Sequence, residues 1–134
     1  MKKYLLDTHT LIWSIVDDAK LSNKVLKILE DENNELLVSA VSFWEIAIKV
    51  GKGKLDLKNF DILSIPYYCN KLKIKQIPLM PDEAISYFNL PNYEEHKDPF
   101  DRMLIHQCIK NSYTLISRDD KMEIYKRDGL DYVW

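Results

Sequence analysis

Tyr4-Leu5-Leu6-Asp7-Thr8-His9-Thr10-Leu11-Ile12-Trp13 is the stretch whose reading decides the fold. A short apolar run ends on an acid, and a second apolar run, Leu11-Ile12-Trp13, follows at once. A carboxylate at the end of a buried strand is costly unless it is hydrogen-bonded, paired or bound to a cation. Asp7 is therefore either a helix cap for the segment that follows or part of a site, and Asp is a favoured cap.

Outward from this stretch, strands and helices alternate. Lys3–Leu6, Leu36–Ser39, Ile74–Ile77, Tyr113–Ile116 and Leu130–Val133 read as strands. Helices are predicted at Thr10–Val16, at Asn23–Asp31 behind a Ser22 cap, and at Val41–Val50, closed by Gly51 and Gly53. Others follow at Phe60–Lys71, Asp82–Phe88, Pro99–Asn111 and Asp119–Tyr125. Such alternation implies an α/β fold with a parallel sheet covered on both faces.

The 134 residues suit a single domain over 1–134, with one real core. Nineteen basic residues against twenty-one acidic ones give no global attraction for nucleic acid, so any such binding needs a local basic patch. Cys69 and Cys108 lie far apart, with neither metal spacing nor a disulfide framework, as in a reducing compartment. The lysines and apolar residues at the start imitate a signal peptide, but Asp7 and His9 break the run and no small-residue cleavage site follows. No stretch approaches the ~18 apolar residues of a membrane span. A cytoplasmic location is the expectation.

Asp7 ends the first strand, Asp119 follows the fourth, and Glu45 lies one turn into the helix after the second. Ligands of open parallel sheets bind beyond the carboxyl ends of the strands, so these acids converge on one crevice. Each has a simpler reading. Glu45 could be a solvated helix residue, although Phe43, Trp44, Ile46 and Ile48 make its helix largely apolar. Asp98-Pro99-Phe100-Asp101 fits a capped helix start, with Asp98 at the N-cap and Asp101 serving the dipole. Asp119 could likewise cap the last helix. Together they mean more, since two charges ~5 Å apart at an effective dielectric near 20 repel by about 3 kcal/mol. Protons or divalent cations must then neutralise the group. All-oxygen ligation favours Mg²⁺ or Mn²⁺ over zinc, and His9, His96 and His106 lack a zinc spacing.

The chain resembles the PIN-domain ribonucleases, and within them the VapC-like toxins of type II toxin–antitoxin systems. Four ordered segments carry the resemblance: residues 4–9; Ser42-Phe43-Trp44-Glu45-Ile46-Ala47 with Lys49 and residues 51–55; residues 96–105; and Leu115-Ile116-Ser117-Arg118-Asp119. It implies a three-layer α/β/α sandwich around a parallel sheet of about five strands. It also implies a Mg²⁺- or Mn²⁺-dependent endoribonuclease neutralised by a cognate antitoxin.

The family's four acids fall on Asp7, Glu45, Asp101 and Asp119, as catalytic residues and metal ligands, with Asp7 and Asp101 the first choices for direct contact. Asp98 either caps its helix or reaches the metal's water. Ser117 matches the family's small hydroxyl residue two positions before the fourth acid. Ser117, Lys49, Lys52, Lys54, Arg102 and Arg118 are candidate RNA contacts, the lysines equally readable as a solvated helix end. An antitoxin segment across the N-terminal helices would meet Leu11, Trp13, Ile15, Leu26 and Leu29, unless these are ordinary core, and a homodimer is expected. Two alternatives stay open: an RNA-processing PIN nuclease without an antitoxin, and an inactive PIN-like interaction module. A haloacid-dehalogenase-type phosphatase needs Asp-x-Asp-x-Thr, and Asp7-Thr8-His9-Thr10 lacks the second acid.

Overall fold

The computed structural model describes residues 1–134. Five strands, β1 (Lys3–Leu6), β2 (Glu35–Ser39), β3 (Ile74–Ile77), β4 (Thr114–Ile116) and β5 (Asp131–Val133), form one sheet in the order β3-β2-β1-β4-β5. Every pairing is parallel. The helices are α1 (Thr8–Val16), α2 (Asn23–Glu30), α3 (Ala40–Gly51), α4 (Ile65–Lys71), α5 (Pro81–Ser86) and α6 (Pro99–Asn111). No helix is long and apolar enough to cross a membrane.

Because neighbouring strand residues face opposite sides, the sheet separates two cores. Tyr4, Leu6, Leu36, Val38 and Ile116 pack on one side with Leu11, Val25, Ile46 and Cys69 from the helices. Leu5, Leu37 and Leu115 pack on the other with Leu104, Ile105 and Cys108 of α6. This is the expected three-layer α/β/α sandwich, and the near-continuous apolar strands are what a sheet covered twice requires.

The departures from expectation are local and have local causes. α1 starts at Thr8 rather than Thr10, because the Asp7 carboxylate caps it by accepting from the Thr10 N–H at 2.8 Å. α4 starts at Ile65, five residues late: Pro66 has no N–H to give and so sits in the first turn. The final helix is a 3₁₀ segment, Asp120–Asp128, with Asp119 as its N-cap. α3 ends as expected on Gly53, whose left-handed φ of 67° lets the Lys54 N–H reach the Lys49 carbonyl.

Strand order reverses its direction of growth between β1 and β4. Their carboxyl ends are aligned, Leu6 against Ile116, and the Asp7 N–H extends the ladder by donating to the Ile116 carbonyl at 3.1 Å. A crevice necessarily opens there, since the chain leaves the two strands toward opposite faces.

Candidate metal centre and active site

Asp7, Asp101 and Asp119 line one open cleft of about 480 Å³ at this switch point. Asp101, on the first turn of α6, is its centre. Its carboxylate lies within 4.8 Å of those of Glu45 and Asp98, and another of its sets joins His96 and Asp119 at the same spacing. Asp101 is thus shared by two sets of close ligand atoms and by the cleft that Asp7 and Asp119 line, and four of these five acids are those named from sequence. Glu45 meets the group through Asp101 and does not line the cleft with Asp7.

Each acid is aimed by a bond that the fold supplies. Asp7, Asp98 and Asp119 all cap: Oδ1 of Asp7 accepts from Thr10 N–H, that of Asp98 from the N–H groups of Phe100 and Asp101, and that of Asp119 from Lys121 N–H. The capping reading holds for all three and is compatible with a site role, because a capping carboxylate keeps its second oxygen. Glu45 is buried at 1% exposure. It accepts from the Thr8 hydroxyl at 2.6 Å and from the Lys49 ammonium.

The charge balance of the group is poor. Burial and the neighbouring carboxylates of Asp98, Glu45, Asp7 and Asp119 push the Asp101 carboxyl up to about 7. Burial also raises Asp7, against the pull of hydrogen bonds from Ser117 and Thr10. Lys49 is the one ammonium inside the group: burial alone would lower it, but Glu45, Asp98 and Asp101 outweigh that and raise it. A half-buried carboxylate pushed up to about 7 by burial and by its neighbours is a position where a divalent cation relieves repulsion, so the residues present fit one.

His96, which the sequence marked only as lacking a zinc spacing, stands beside Asp101. It is buried at 4% exposure, with Nδ1 2.9 Å from the Tyr125 hydroxyl and Nε2 3.4 Å from Asp101 Oδ2. Arg102 also donates to the Tyr125 oxygen, at 3.0 Å. A His96 ring nitrogen forms a close set with the carboxylates of Asp101 and Asp119: carrying hydrogen, Nε2 donates to Asp101, and bare it can join them as a ligand. Burial lowers the His96 pKa, in keeping with a neutral ring.

Arg102 stands elsewhere than the RNA-contact expectation put it. Its Nε donates to the Tyr87 hydroxyl, and its terminal nitrogens to the Pro91 and Leu90 carbonyls, Tyr125 and Asn92. All five N–H groups are used, so none is left for phosphate. Lys49 is likewise committed, to Glu45. Lys52, Lys54 and Arg118 are exposed, and Arg118 lines the cleft. Ser117 is fully buried, donating toward Asp7 and accepting from Asp119 N–H at 3.2 Å. Leu11 is core, whereas Leu26 and Leu29 line a separate apolar hollow of about 180 Å³ with Leu21, Leu36, Leu72 and Ile74.

Fold and site together define an α/β protein with an acid-lined crevice at the switch point of a parallel sheet. The chain belongs to the PIN domain family, whose model matches residues 4–128. It is similar to Ribonuclease VapC22 of Mycobacterium tuberculosis (strain ATCC 25618 / H37Rv), 24% identical over 136 residues with all of both chains covered. Among solved structures it is similar to VapBC2 from Rickettsia felis bound to a DNA fragment from their promoter, with TM-score 0.71, 17% identity and 98% of this chain and 97% of that one covered. It is also similar to VapBC-1 from nontypeable Haemophilus influenzae, with TM-score 0.67, 17% identity and coverage of 98% and 96%. At these identities the structural likeness speaks for the fold.

Proposed function

We propose that this protein is a divalent-cation-dependent endoribonuclease acting in the cytoplasm, the toxin of a pair whose antitoxin silences it. The observation that carries the reading is the convergence of Asp7, Glu45, Asp98 and Asp119 on Asp101, whose carboxyl they and burial push up to about 7. Asp7, Glu45, Asp101 and Asp119 are the proposed ligands, and hard carboxylate oxygens favour Mg²⁺ or Mn²⁺. When bound, the cation supplies positive charge at the scissile phosphate and makes a water more acidic.

The chain's own residues do the rest. The three caps fix their carboxylates before substrate arrives, so little reorganisation is required. Thr8 and Lys49 hold Glu45 in place. Arg118, Lys52 and Lys54 are the cations free to meet the RNA backbone; Lys49 and Arg102 serve the protein itself. Support for the antitoxin comes from the relatives, which are VapBC complexes, and from the apolar hollow beside α2 as a seat for its segment.

Asp7→Asn or Asp101→Asn is expected to lower Mg²⁺-dependent cleavage of RNA at least ~100-fold, the scale on which removal of one preorganised electrostatic group acts. Circular dichroism should show the fold unchanged. Undiminished cleavage by both variants would rule out the assignment.

A further inference from the structure

The acids account for one wall of the cleft, and the wall beside them is aromatic and cationic. Trp13, half-buried, lines the same cleft as Asp7, Asp101 and Asp119. The Arg118 guanidinium lies 5.9 Å from its ring centroid and the Lys20 ammonium 5.7 Å. His9 sits against it at 5.8 Å, tilted by 48°, and Trp134 meets it nearly edge-on, at 5.8 Å and 66°.

A tryptophan that only filled the core would need no cation on its ring and no place in an acid-lined cleft. Trp13 does anchor on the core through its buried side, and Trp134 and the helix keep its ring from turning. The result is a ring held at the cleft with two cations over its π system, the pairing of aromatic surface and positive charge by which proteins hold unpaired nucleotides. It stands six residues beyond Asp7, about 9 Å along α1, so a phosphate at the acids brings a neighbouring base within its reach.

Resting on the ribonuclease reading, we propose that Trp13, flanked by Arg118 and His9, is the stacking platform for a nucleobase next to the scissile phosphate. The stacked base must be unpaired, since a base inside a duplex has no free face to offer. The platform reads aromatic surface and not the hydrogen-bonding edge. It tolerates sequence and favours purines, which present more ring.

The probes are 5′-AMP, 5′-UMP and ribose 5-phosphate, titrated in Mg²⁺ and followed by NMR at the backbone amides of His9, Asp101 and Arg118, which every variant keeps. Wild-type protein should bind 5′-AMP about 5- to 100-fold more tightly than ribose 5-phosphate, the range that one base–aromatic stack supplies, with 5′-UMP between. Trp13→Leu keeps apolar bulk for the core and should bring the ratio close to one; Trp13→Phe, which keeps a π face, should retain most of it. Equal affinities in the wild type, or a preference that survives Trp13→Leu, would overturn the proposal. Because these ligands are not cleaved, RNA cleavage without base preference would refute this platform alone. Base preference without RNA cleavage would refute the nuclease reading alone.

Discussion

A helix N-terminus takes up one oxygen of a capping carboxylate, and the other oxygen is what Asp7, Asp98 and Asp119 present to their neighbours. Sequence showed the caps and the acids but could not show that they were the same groups in the same act. Asp101 records the consequence. An ordinary unfolded Asp titrates near 3.9, and in the fold burial and the surrounding acids raise this one to about 7. The folded state therefore binds its proton more tightly, and stability is gained as pH falls through about 7 and lost as pH rises through it.

In EDTA, the melting temperature at pH 5.5 should exceed that at pH 8 by a few degrees, roughly the shift expected for 1 kcal/mol in a domain of this size. Saturating Mg²⁺ should remove most of the difference. His96, held neutral by burial, works in the opposite direction, so Asp101→Asn is the needed comparison. That variant should lose most of the pH dependence and melt higher than wild type without metal, while being inactive. A wild-type protein that melts higher at pH 8 than at pH 5.5 in EDTA would contradict the electrostatic account.

At the scale of elements, almost everything in the sheet was legible, because apolar runs of four or five residues bounded by turn residues have few other readings. Helix starts were less so. α1 needed the knowledge that Asp7 caps it, and α4 was overextended through Phe60 because the apolar pattern there belongs to a 3₁₀ turn, Ile62–Ser64, ahead of Pro66. Loops were the least legible. His96 lies in a segment with no periodicity, and only its folding back onto Tyr125 brings it to Asp101. Arg102 looked like a site cation because it adjoins Asp101; successive helix residues point about 100° apart, and that rotation takes it to the loop instead. The α2 hollow carries a prediction of its own. Leu29→Lys should abolish inhibition by the cognate antitoxin while leaving RNA cleavage by the free protein within about two-fold, because Leu29 lies in the hollow and not in the acid cleft. Persistent inhibition would move the antitoxin's seat elsewhere.

For the whole molecule, the sheet order sets the address of the site, and the segment at α5 carries a different signal. Ile85 and Phe88, three residues apart at the end of α5, are 75% and 79% exposed, with Met80 half-exposed nearby in sequence. This exposed apolar pair is a place at which the expected homodimer can be tested. Ile85→Lys with Phe88→Lys should convert a dimer into a monomer by light scattering, since each lysine would place an unpaired charge in the interface. A variant that remains dimeric would exclude the segment.

The Arg102 fork gives this architecture a genetic signature. One side chain fastens Leu90, Pro91 and Asn92 to α6 and, through Tyr125, steadies His96. Lysine, with three donors and no planar fork, cannot replace it. If the protein is toxic when expressed, colonies that survive should carry Arg102→Lys or Arg102→Cys as well as changes in the acids. A collection of survivors confined to the acids would show that the loop holds its place without that fork.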